Sequence, residues 1–125
     1  MCRLNSRPFL LEKYMTNEQL NTQLYWKLHR EHTSFKNWLM HQPPGVIIAN
    51  AYKYAMMEDV LLTFENNNLS DEQAKALLKG KGHLEKILDR WQEDGTGHMV
   101  SMWEKVQEYA TEMAEKQARI KDRGR

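Results

Sequence analysis

The chain has 125 residues, 28% of them charged, with a net charge of +1 and one cysteine, Cys2. That length suits a single domain with a real core, and the near-neutral balance speaks against a strongly acidic DNA mimic or a globally basic nucleic-acid binder. A lone cysteine excludes an internal disulfide and a cysteine-based metal cluster. No apolar run approaches the ~18 residues that span a bilayer, and the first residues lack the apolar core of a secretory signal, so the expectation is a cytoplasmic protein.

Residues 1–14 set Arg3, Arg7 and Lys13 against Glu12 and read either as a flexible arm or as an upstream extension. The folded domain is expected to begin near residue 16, where Thr16 or Asn17 is a ready N-cap and Glu18 complements the helix dipole. A first long helix is predicted over 17–41. Leu20, Leu24, Leu28, Phe35, Trp38 and Leu39 form its core-facing stripe, and Glu31 lies within that stripe. Trp26, Thr33 and Met40 fall on the opposite side; an outward tryptophan suits a binding surface, or packing on another element of the same domain.

Pro43 and Pro44 end that helix and open the next, since proline fits the first helical turn but forces its predecessor out of helix. The stretch 45–66, GVIIANAYKYAMMEDVLLTFEN, is apolar round most of its circumference. Such a helix is expected at the centre of a small fold. Ile48, Ala51, Tyr54, Ala55, Leu61 and Leu62 define its main face, with Ala49, Met56 and Val60 roughly opposite. Glu58 falls inside the main apolar face, where a carboxylate needs a partner.

Asn66, Asn67 and Asn68 form a polar break. Ser70 with Gln73 is a capping box for a short helix over 71–79, with Leu69 as its staple, Ala74, Leu77 and Leu78 as its apolar face and Gly80 as its C-terminal cap. Leu84, Ile87, Leu88 and Trp91 recur at helical spacing over 83–94. Gly95, Thr96 and Gly97 suggest a turn or kink. Met99, Met102, Trp103, Val106, Ala110 and Met113 trace one seam of a last helix over 98–118, too short for a coiled coil and suited to packing within the domain. Residues 119–125 read as a basic tail. The fold class predicted is therefore all-α: a compact bundle of about five helices around a buried central helix at 45–66, in a single domain over 16–118.

No catalytic motif is present, and no cofactor is implied. Glu31 and Glu58 could be paired inward carboxylates, and such pairs bind metal in helical bundles. Those sites add Glu-x-x-His motifs, which are missing here; the close histidine pair is His29 and His32, in H-R-E-H. The preferred reading is that both acids are structural, buried and held by tyrosine hydroxyls (Tyr25, Tyr52 or Tyr54) or by nearby donors, so that they fix helix register. His41, His83 and His98 sit at helix ends, where histidine caps carbonyls. Cys2 lacks a base partner.

The charge distribution is uneven. Residues 1–14 carry +2 and 119–125 carry +3, leaving −4 for the middle of the chain. A helix-turn-helix at 70–94 would present HLEKILDRWQED, with two bases against four acids, which is the wrong sign for a major groove. Nucleic acid is thus possible through the basic ends but not favoured.

Three segments together resemble a small bacterial family of unknown function: Trp38 to Tyr54 with Gln42-Pro43-Pro44, Ile47-Ile48 and Ala51-Tyr52; Glu58 to Leu61; and the run from Asn67 to Lys79 containing Leu69-Ser70-Asp71-Glu72-Gln73. Asp89-Arg90-Trp91, Asp94 and His98-Met99 fit its second half, so the resemblance covers about 17–115. Gly95 to Gly97 departs from it, since its members look more continuously helical there. The resemblance implies a protein encoded on conjugative elements or phages of gut bacteria. It carries no activity and no functional residues. The expectation is a non-enzymatic module that binds a host or element-encoded protein, with inhibition of a host defence nuclease, the anti-CRISPR strategy, as its sharpest form. Trp26, Arg30, Met40, Lys53 and Met56 are the candidate partner-binding residues. The alternative is a nucleic-acid-binding accessory of element transfer or transcription.

Overall fold

The structure is a computed structural model and describes residues 15–93 and 99–123. Five helices follow in order: α1 (Asn17–Met40), α2 (Pro44–Thr63), α3 (Asp71–Leu78), α4 (His83–Glu93) and α5 (Met99–Arg123). No strand occurs among the described residues. The arm at 1–14, Cys2, the Gly95–Gly97 break and His98 lie outside them. The last helix continues past the expected boundary, so residues 119–123 are helix rather than tail.

The local signals behave as their chemistry requires. Thr16 caps α1, accepting from the Gln19 amide while the Gln19 side chain accepts from the Thr16 amide. Ser70 and Gln73 do the same for α3. Pro44 is the first residue of α2. Lys79 leaves α3 in an extended conformation, and the left-handed turn comes one residue later at Gly80, with φ +78°. The positive φ favours glycine at Gly80, and a Cβ there would sit tightly, 3.2 Å from Nε2 of His83.

The core gathers Leu20, Leu24 and Leu28 of α1; Met57, Val60 and Leu61 of α2; Leu69, Ala74 and Leu77 at α3; Leu84, Ile87, Leu88 and Trp91 of α4; and Met102, Val106, Tyr109 and Ala110 of α5. α3 packs chiefly on α5 and α1, and α2 chiefly on α1. Where their side chains are described, the predicted stripes of α3, α4 and α5 face inward as expected. Trp38 does not: it is half exposed and stacks on Phe35 with ring centroids 5.7 Å apart. His32 takes a core-facing place on α1 instead, stacked on Tyr54 at 4.4 Å and donating from Nε2 to the Tyr54 carbonyl at 3.1 Å.

The expectation of a buried central helix is corrected. No residue of α2 before Met57 is buried, and Ile48 is 77% exposed. The connection at 41–43 is short, so α1 and α2 run as an antiparallel hairpin. The end of that hairpin, the last turns of α1 and the first half of α2, extends past the region where α3, α4 and α5 supply a core. The apolar circumference of α2 is real. The first half of α2 packs along α1, and among the described residues no helix covers its outward side.

Candidate partner-binding surfaces

Polar side chains of α1 lock the α3 region in place, and they set the stage for the surfaces beside them. Asn21 is buried, and its side chain reads both backbone groups of Leu69. Its amide nitrogen donates to the Leu69 carbonyl at 3.0 Å, and its oxygen accepts from the Leu69 N–H at 2.8 Å. Asn17, one turn earlier, donates to the Leu69 carbonyl and to Asp71. Lys27 donates to the carbonyls of Leu77 and Gly80, at 2.8 and 2.7 Å, where α3 ends. Glu31, one turn further on, accepts from the Leu84 N–H at 3.1 Å, where α4 begins. A cation thus sits at the negative end of α3 and an anion at the positive end of α4. Two residues four apart on one helix therefore cap two other helices.

This geometry fixes where the two acids lie. Glu31 is half-buried, and its carboxyl is held above the ordinary value because burial penalises its charge more than the Leu84, His83 and Glu85 backbone N–H groups favour it. Its second oxygen, Oε1, is buried without a hydrogen-bond partner among the described residues. Glu58, by contrast, is exposed. It is not a buried acid and does not meet Glu31, because the face of α2 on which it lies looks to solvent. The predicted tyrosine partners are likewise not those of Glu31. No group of three or more histidines, cysteines or acids among the described residues is arranged to hold a metal ion.

The histidines divide as their helix-end positions suggest. His41 uses Nδ1 against the Asn37 carbonyl at 2.7 Å, at the end of α1. His83 is buried between α3 and α5: Nε2 donates to the Lys79 carbonyl, and Nδ1 accepts from the Tyr109 hydroxyl at 2.6 Å. Both of its ring nitrogens are satisfied by a neutral imidazole. Burial pushes the His83 pKa below its ordinary 6.5 and pushes Tyr109 upward. Arg90 of α4 forks onto both oxygens of Glu112 on α5, at 2.7 and 2.8 Å, and lies over the Tyr109 ring.

The outer surface carries two aromatic regions. On α1, Trp26 is 52% exposed and meets Tyr25 and His29 edge-on, with centroids 5.2 and 5.3 Å away. A groove beside it is lined by Glu18, Asn21, Thr22, Tyr25, Trp26, Phe64, Glu65 and Asn68. Phe64 is buried there, set against Trp103. The second region is the hairpin end and the outward face of α2, where Trp38, Met40, Ile48, Tyr52 and Leu62 are all exposed.

Of the predicted partner-binding residues, Trp26, Arg30 and Met40 are exposed. Lys53 and Met56 are half-buried: Lys53 pairs with Glu85 of α4 and lies over the Phe35 ring, and Met56 packs against the core. The five do not form one site. Sequence reasoning passed over Asn21, whose signal was a polar residue directly beside Leu20 in the core stripe. It also passed over Ile48 and Tyr52 as surface residues, having read their face as covered.

The class defined by this architecture is a small all-α bundle with outward aromatic surfaces, and no described helix is long and apolar enough to cross a membrane. The chain belongs to the family described as Protein of unknown function (DUF3848), whose model matches residues 20–114. No curated protein matches the chain, and no solved structure does.

Proposed function

We propose that this protein is a non-enzymatic protein-binding module that engages its partner through the Tyr25–Trp26–Phe64 groove. The observation supporting this reading is the half-exposed Trp26 beside a concave aromatic surface whose rim carries Glu18 and Glu65. Tryptophan anchors are enriched among residues that dominate binding energy. Aromatic faces flanked by carboxylates suit a lysine or arginine side chain, by cation–π attraction and ion pairing together. The partner on this reading is a protein presenting a protruding basic side chain. A host nuclease carries such side chains in its nucleic-acid channel, so the anti-CRISPR-like role of a protein from a mobile element or phage is the narrower form of the proposal.

Affinity purification from a host lysate, with wild type, Trp26→Ala and the Glu18→Gln/Glu65→Gln pair, tests it. The expected result is a protein retained by wild type and lost from both variants. Retention of the same proteins by all three would rule the groove out. A gel shift on duplex and single-stranded DNA separates the other reading: binding that falls steeply between about 50 and 200 mM salt marks phosphate contacts and favours a nucleic-acid accessory.

A further inference from the structure

We propose that the outward face of α2 is the axis of a symmetric antiparallel dimer, in which a second copy of this chain covers the stripe that the fold leaves bare. This inference rests on the α2 face and not on the Trp26 groove, so the two stand or fall separately.

The stripe is built from Ile48, Ala51, Tyr52, Ala55 and Leu62, all exposed. From Ile48 to Leu62 it spans 15 residues, about 21 Å of helix. Isolated apolar surface residues need no explanation, but five that share one helix face, interrupted by Glu58 and Asp59 between Ala55 and Leu62, do. The core is on the opposite side of the same helix, at Met57, Val60 and Leu61.

What identifies the occupant is the order of residues along the stripe. A two-fold axis through Ala55 places each residue of α2 at the height of one equally far beyond Ala55 on the partner helix. Ala55 then meets the partner copy's Ala55, and two alanines at a crossing let helix backbones approach closely. Seven residues away in each direction, Ile48 meets the partner copy's Leu62, large apolar against large apolar. Between them the helical wheel puts Tyr52 and the partner copy's Asp59 on the same flank of the seam, a phenol donor beside a carboxylate. The other flank sets Ala51 beside the partner copy's Glu58, which leaves that acid at the wet edge. No carboxylate falls opposite a carboxylate. A surface that is complementary to itself in size and in hydrogen bonding is what an isologous interface requires.

The area sets the strength. Three large side chains and two alanines at these exposures offer on the order of 400–500 Å² per copy, about half the roughly 800 Å² per partner of a standard interface. An interface of that size is reversible rather than obligate.

Sedimentation equilibrium of the full chain from about 5 μM to about 1 mM tests this. The expected result is a rise from the 14.9 kDa monomer toward twice that mass. Ala55→Arg, which brings two guanidinium groups together at the axis, is expected to weaken association at least tenfold while leaving the helical circular dichroism and the unfolding midpoint unchanged. Ala55→Cys in a Cys2→Ser background reports the register: mild oxidation is expected to link it to itself. Ile48→Cys and Leu62→Cys are expected to link only when mixed. A chain that stays monomeric to 1 mM overturns the proposal. So does a dimer that survives Ala55→Arg. A dimer in which the Ala55→Cys variant does not cross-link to itself overturns the register.

Discussion

The two halves of α2 have similar composition and opposite fates. Residues 44–55 include Val46, Ile47, Ile48, Ala51, Tyr52 and Tyr54, yet none of them is buried. Residues 56–63 bury Met57, Val60, Leu61 and Thr63. Intrinsic hydrophobicity does not distinguish them. Their neighbours do: the second half reaches the level where α4 and α5 close round it, and the first half packs along α1. An apolar circumference thus announces a need for cover without saying whether the cover comes from the same chain.

Substitutions probe that contrast, and the largest effects belong on the covered side. Leu24→Ala, at a position with no exposed surface, should destabilise by about 3 kcal/mol through lost burial and the cavity left behind, read from urea unfolding. Asn21→Ala should cost about 2 kcal/mol, since it leaves the buried Leu69 N–H without its acceptor. Glu31→Ala removes the carboxylate cap from the start of α4 and should cost about 1 kcal/mol, while Glu31→Gln keeps an acceptor oxygen there and should lose less.

The pH dependence follows from His83. The folded state holds its imidazole neutral, whereas the unfolded chain takes up a proton below the ordinary value of 6.5. The unfolded state then binds more protons, so stability falls as pH drops below about 6.5. Glu31 works in the opposite sense lower down: with its carboxyl raised, the folded state releases its proton later than the unfolded chain does, and stability is lost as pH rises from 4.5 toward the folded value. Thermal unfolding of His83→Gln between pH 7 and 5.5 should therefore show a shallower loss than wild type. At the small end, Glu58→Gln should change stability by less than about 0.5 kcal/mol, as for other surface positions. A large effect there would return the acid to a structural role.

Most of the fold was legible because its signals are local. The capping boxes at Thr16–Gln19 and Ser70–Gln73 and the proline pair mark helix ends to within a residue or so. The stripes of α3, α4 and α5 point where their periodicity says. What was not legible depends on partners distant in sequence. Glu58 lies on an apolar face, but whether that face is covered depends on where α5 stops supplying a neighbour. Asn21 looks like one polar residue among many until the Leu69 backbone, 48 residues on, arrives beside it. Tyr109 shares the α5 seam, seven residues after Met102, so its burial follows from periodicity; what does not follow is the partner of its hydroxyl, His83. The Trp26 surface was half readable: its outward side follows from the wheel, and the groove does not, because Phe64 and Glu65 come from the end of another helix.

The division of α2 into a covered and a bare half is open to one paired measurement: urea unfolding of Ile48→Asp and Val60→Asp below the micromolar concentrations at which chains would associate. Charge at Val60 enters the closed core, so that variant should lose at least about 3 kcal/mol or fail to fold. Charge at Ile48 stays in water, so that variant should unfold within about 0.5 kcal/mol of wild type. Equal and severe losses in the two variants would mean that both halves of α2 are core, and would contradict the division.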